Sequence, residues 1–187
     1  MIAESQYPAL LLNADYTPFS IHPLSVISWQ NAVRGIFSDR LVTVSEYDRT
    51  LTGKTWEFKL PSVVAMRNYV KPKLRVPFTR ANIWIRDEGK CVYCGDRVPP
   101  KDFTFDHVIP RSKGGGTDWD NISTACEPCN LHKGNHLPKE VGMIPNPWPY
   151  RPDRFEIAKK ARRLGRYPAT PKAWVDFIYW DSELETE

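Results

Sequence analysis

No stretch of this chain is apolar for long enough to span a bilayer, which takes about 20 consecutive apolar residues. The opening Met-Ile-Ala-Glu-Ser-Gln lacks the basic and then apolar signature of a secretory signal, so the cytoplasm is the expected compartment and no membrane partner is expected. Internal repeats and low-complexity tracts are also missing. Cysteine is scarce. The only four lie in two pairs, Cys91-Val-Tyr-Cys94 and Cys126-Glu-Pro-Cys129. That usage excludes a disulfide framework and leaves metal binding or redox chemistry.

What is present is ordinary in bulk. The 187 residues fit one domain, or one and a small second unit, and can bury most of the surface an unfolded chain exposes. A net charge of +4 and a pI near 8.9 give weak support to any anionic partner. The body is more basic than that total, because Asp181 to Glu187 carries four acids and no base.

Three segments are expected. Residues 1–70 read as a small α+β subdomain: Ala9 to Leu12 as a buried strand, Val26, Trp29, Val33, Ile36 and Phe37 at helical spacing behind Pro23 and Ser25, then strands at Leu41 to Val44 and Thr55 to Leu60. Residues 71–79 form a connector. Residues 80–137 begin with a helix, Arg80 to Asp87, capped by Thr79 and ended by Gly89. Residues 138–187 start as a proline-rich extended arm. A helix over Asp153 to Leu164, stopped by Gly165, and another from Pro171 presenting Trp174, Phe177 and Ile178 follow.

Two CxxC pairs about thirty residues apart are a strong zinc signal, and four thiolates make a closed tetrahedral site with no position for water. The metal on Cys91, Cys94, Cys126 and Cys129 is therefore expected to be structural. Thioredoxin-like redox chemistry needs a single CxxC at a helix start, not two matched pairs.

Between the pairs runs Phe103-Thr-Phe-Asp-His-Val-Ile-Pro110, a β-prone stretch, then Arg111-Ser-Lys-Gly-Gly-Gly116, then Asp118-Trp-Asp-Asn121. Strand, glycine turn and returning segment imply a two-stranded ribbon. Asn130-Leu-His-Lys-Gly-Asn135 can begin a helix after Cys129. A lone Asp-His pair, a Gly-rich turn or an Asn after a knuckle has a bland explanation each; their joint occurrence inside one zinc clamp is what carries chemistry.

This string resembles the HNH nucleases, whose pattern runs CxxC, DH-x-x-P-x-S-x-G-G, an Asn, then CxxC with His or Asn and a Lys-Gly pair. Leu10-Leu-Leu-Asn-Ala-Asp-Tyr-Thr-Pro-Phe19, Leu60-Pro-Ser-Val-Val64 and Trp174 to Leu184 also resemble bacterial and phage members of about this length. The resemblance implies an α+β chain with a ββα-metal (His-Me finger) core, and a metal-dependent DNA endonuclease acting on double-stranded DNA. It implies Asp106 as ligand of a catalytic divalent ion and His107 as general base, with Asn121 fixing the loop and orienting the histidine. Asn130 stands where the family's last His falls, an H-N-N form, and would be the other ligand. An amide oxygen there shifts preference toward Mg²⁺, with Mn²⁺ or Ni²⁺ as alternatives. His132 is the alternative ligand, although two positions on it lies about 200° around a helix from Asn130. Lys133 lies only about 60° away and could reach a phosphate.

Arg111, Lys113 and Lys133 are the expected DNA contacts, with Lys139 beside them. Lys159, Lys160, Arg162 and Arg163 form a second basic cluster, equally readable as a solvated helix face. The alternative function is a non-catalytic zinc ribbon that binds nucleic acid; a zinc-stabilised adaptor is a third class. Monomer or homodimer is left open.

Overall fold

Ala9–Leu12 (β1) is buried at Ala9, Leu10 and Leu12 with Leu11 partly buried, as expected of an apolar run with no alternation. Two short elements follow, Val26–Ile27 (β2) and the helix Trp29–Phe37 (α1). The helix starts later than Pro23 and Ser25 suggested. Val26 is drawn into pairing with Leu10, and the Ser28 hydroxyl accepts from the Asn31 amide to cap the new start. Leu41–Thr52 (β3) and Glu57–Met66 (β4) are both longer than their apolar patterns indicated. β3 continues because its polar half pairs with β4 across several register shifts. β4 runs parallel to β1, completing a sheet in the order β2-β1-β4-β3.

The computed structural model describes residues 6–72, 75–166 and 171–178. The chain divides into two units, Met1–Lys73 with Tyr167–Glu187, and Leu74–Arg166. In the first, one face of the sheet buries Leu10, Leu12, Val63 and Ala65 around Trp174, which comes from a 3-10 turn, Lys172–Trp174. The Trp174 indole donates to Ser62 O at 2.7 Å, and Phe177 and Ile178 pack beside it, as their spacing implied. The other face buries Ala9 and Val64 against Ala32 of α1. The expected helical residues beyond Ile178 lie outside the described residues.

The second unit opens with Arg80–Arg86 (α2), capped by Thr79. Thr104–His107 (β5) and Ile122–Ala125 (β6) pair antiparallel, and Glu127–Lys133 (α3) follows. α3 begins three residues before Asn130, where the sequence was expected to turn helical. The proline-rich arm opens with a 3-10 turn, Pro138–Glu140, before the irregular run to Arg154–Arg163 (α4). Asp153 caps α4, and Gly165 follows it at a φ of +63°. Among the described residues no helix is long and apolar enough to cross a membrane.

Candidate active site and metal centre

The expected β, β, α unit forms a cleft of about 200 Å³ lined by Phe105, Asp106, His107, Arg111, Ser112 and Asn130, with Pro110, Gly134 and Asn135 around them. Neighbours on a strand point to opposite faces, and the register puts Asp106 across from Ser123 and His107 across from Ile122. Asp106 is accordingly buried at 3 % exposure, while His107 is half-buried.

Both carboxylate oxygens of Asp106 are engaged. Oδ1 accepts from Lys133 Nζ at 2.9 Å, and Oδ2 accepts a short hydrogen bond from the Tyr93 hydroxyl. Burial first, and then that bond to Asp106, hold the Tyr93 phenol protonated far above its usual range. Lys133 also donates to His107 O at 2.7 Å and is fully buried. Lys133 was expected to reach a phosphate. The structure instead turns it inward, because the same 60° that sets it beside Asn130 sets it against β5.

Asn121 is buried and spends its whole amide on the loop after His107. Nδ2 donates to Ile109 O at 3.0 Å and Gly116 O at 2.8 Å, and Oδ1 accepts from Ile109 N at 2.7 Å. Gly115 is obligatory there: a Cβ would sit 1.7 Å from Ile109 O and 2.7 Å from Asn121 Nδ2. Those bonds all go to the loop, and the His107 ring has its Nε2 2.9 Å from Thr117 Oγ1. Desolvation, and next the Arg111 guanidinium, lower the His107 pKa below its usual 6.5, so the imidazole is neutral at neutral pH.

Asn130 donates through Nδ2 to Thr104 Oγ1 at 2.9 Å and Phe105 O at 3.3 Å, which leaves Oδ1 as the amide atom that could meet an ion. Asp106 and Asn130 therefore offer hard oxygen donors in one cleft, a set that suits Mg²⁺ or Mn²⁺. His132 is exposed and absent from the lining. Arg111 lines the cleft and is exposed. Lys113 is outside it, paired with Glu140 at 2.6 Å. In the later cluster Lys160 is committed internally, to Arg86 O at 2.7 Å and to Glu156 at 2.9 Å.

The four cysteine sulfurs all lie within 4.8 Å of one another. Tetrahedral zinc with bonds of ~2.3 Å spaces its sulfurs ~3.8 Å apart, and Cys94 and Cys126 are 3.9 Å apart. Without a cation the cluster opposes ionisation at Cys94, where desolvation, and then hydrogen bonds with neighbouring thiols, push the thiol up to about 11. At Cys91, by contrast, burial is outweighed by backbone hydrogen bonds, which hold the thiol below its usual range. The four sulfurs at this spacing fit zinc.

Sequence reasoning missed the support behind the ribbon. Arg86, 1 % exposed, forms two hydrogen bonds with Asp87, at 2.7 and 3.0 Å, and donates to the carbonyls of Trp119, Ile122 and Tyr150. Asp87 Oδ2 accepts from Thr124 N of β6 at 2.8 Å. Asp87 was expected only as the end of α2. No local pattern signals that its neighbour is the hub, since arginine is usually exposed.

Residues 91–145 match the family described as HNH endonuclease, and residues 9–74 match the HNH endonuclease-associated N-terminal domain. A curated relative, the CRISPR-associated endonuclease Cas9 of Corynebacterium diphtheriae, is 33 % identical over 63 residues, covering 30 % of this chain and 6 % of that protein. The chain thus spans only a small part of the relative's length.

Proposed function

We propose that this chain, whose residues 91–145 are an HNH endonuclease domain joined to the N-terminal domain associated with that family, is a metal-dependent DNA endonuclease. The observation that carries the reading is one cleft holding Asp106, His107 and Asn130 on a ribbon and helix. A pure binding module has no use for that set.

His107 supplies the base. Hydrolysis needs a water that loses its proton as it attacks phosphorus, and a neutral imidazole suited to that task is worth ~10²–10⁴-fold. In the tautomer whose Nε2–H donates to Thr117, Nδ1 is the nitrogen free to take the proton. Asn121 and Gly115 hold the loop that follows, so the strand bearing His107 ends in a fixed geometry. Asp106 and Asn130 Oδ1 would hold the divalent ion, which when bound stabilises negative charge on the phosphoryl and leaving oxygens. Arg111, exposed at the cleft, attracts the phosphate without reading sequence. Zinc on the four cysteines stays apart from substrate.

The test is nicking of supercoiled plasmid with Mg²⁺ or Mn²⁺. His107→Ala should lose cleavage by ~10²-fold or more while keeping its zinc and its melting temperature. If wild type and variant bind DNA equally and neither cuts it with any divalent metal, the non-catalytic zinc-ribbon reading replaces this one.

A further inference from the structure

The first zinc knuckle is docked on the ribbon through its own backbone. Val92 N donates to Thr124 O at 3.0 Å, and Val92 O accepts from Asn146 N at 2.8 Å. That docking carries the next residue, Tyr93, across to the neighbouring strand, where its hydroxyl donates to Asp106 Oδ2. The second knuckle begins α3, and one turn after Cys129 the same helix sends Lys133 Nζ to Asp106 Oδ1. Each half of the clamp therefore delivers one donor to one oxygen of the same carboxylate. An ionised carboxylate offers about four acceptor positions, so two occupied ones still leave room for an ion on the cleft side. With both oxygens held, the carboxylate cannot rotate away from the cleft it lines.

We infer that Tyr93 is a positioning residue: its hydroxyl, opposed by Lys133, fixes the Asp106 carboxylate toward the cleft, so that the structural clamp sets the geometry of the divalent-ion site. The inference rests on the reading of Asp106 as a metal ligand. Partners that orient a ligating carboxylate typically change metal affinity by ~10–100-fold when removed. Tyr93→Phe deletes one oxygen and keeps the ring, so packing around the knuckle is preserved.

The experiment uses the full zinc-loaded chain without DNA and Mn²⁺ alone as probe, with free Mn²⁺ followed by electron paramagnetic resonance. Zinc content and melting temperature are measured on the same samples. Tyr93→Phe should keep its zinc and its melting temperature yet bind Mn²⁺ ~10-fold more weakly. In plasmid cleavage the Mn²⁺ concentration for half-maximal rate should rise, with the rate recovering at saturating Mn²⁺. In an Asp106→Asn background the Tyr93→Phe effect should vanish, because the hydroxyl has lost the group it orients. Unchanged Mn²⁺ binding overturns the inference. Tighter binding overturns it in favour of a lock that excludes the ion, and loss of zinc overturns it by assigning the hydroxyl to the clamp. A wild-type protein that binds no Mn²⁺ sinks the metal-site reading itself, which separates that failure from the failure of Tyr93's role.

Discussion

Both units bury apolar side chains, but among the described residues only one of them also buries charge. The first hides Leu10, Leu12, Val63, Val64 and Trp174, with Asn13 and Ser62 as its buried polar residues. The second, among the described residues, holds every buried charge: Arg86, Asp87, Asp106 and Lys133. It adds four clustered cysteines. Removing charges from water is costly and is offset only when each finds a partner. The second unit meets that condition with short ion pairs and carbonyl acceptors around one ribbon. The unit that carries the candidate chemistry thus sets paired charges and four clustered cysteines within its apolar core, whereas the other is held by apolar contact around a sheet.

Removing zinc is the largest perturbation of that contrast. Sites of this kind contribute of order 10–16 kcal/mol in small zinc peptides, more than the whole stability of a typical domain. Chelation, or Cys91→Ser, should collapse amide-exchange protection on β5, β6 and α3 while β1 and β4 keep theirs. Persistent protection of the ribbon without zinc would mean that charges and packing suffice there, and the contrast between the units would fail.

One step down in size, the two units should respond differently to loss of one buried side chain. Arg86→Met strands the Asp87 carboxylate and deprives three carbonyls of their donor, a loss of ~3–5 kcal/mol. Adding Asp87→Leu should restore part of it, because an apolar pair is often nearly neutral relative to an ion pair. Recovery is incomplete, since Thr124 N also loses its acceptor. Leu12→Ala in the first unit should cost ~2–5 kcal/mol through its cavity, leaving plasmid cleavage per folded molecule unchanged. Urea unfolding of the three variants checks these losses and the partial recovery in the double variant. Full recovery in the double variant would show the Arg86–Asp87 pair to be dispensable to shape.

The same contrast explains what the sequence disclosed. The clamp was legible because metal ligation forces cysteine type and spacing. Asp106, His107, Asn121 and Asn130 are picked out together by resemblance to the HNH pattern, and the structure brings Asp106, His107 and Asn130 to one cleft. The cap at Thr79 and the stop at Gly165 are local events and were read directly. The destination of long side chains was hidden. Lys133, Arg86 and Tyr93 reach partners 27, 36 and 13 residues away, and nothing in their neighbourhood distinguishes them from surface residues. The extents of β3 and β4 were hidden for a related reason: pairing with each other, not apolar pattern, extends them.

The smallest effect concerns the one cleft group whose charge changes near neutral pH. Desolvation, and then Arg111, place the folded-state pKa of His107 below the ordinary 6.5. Protons therefore bind the unfolded chain more readily, and this group's contribution to stability is present above pH 6.5 and is lost as pH falls through and below it. The ring is only half-buried, so the change in stability should be slight, whereas cleavage, with His107 as the proposed base, should follow the neutral form directly. At fixed saturating Mn²⁺ the rate should climb with pH through the lowered value and level off above 6.5. Arg111→Gln removes the charge that disfavours the imidazolium, so the midpoint should move to higher pH while the melting temperature and zinc content hold. A midpoint that stays put would remove Arg111 from the charges that set the basicity of His107, leaving burial and the carboxylates and Lys133 around it.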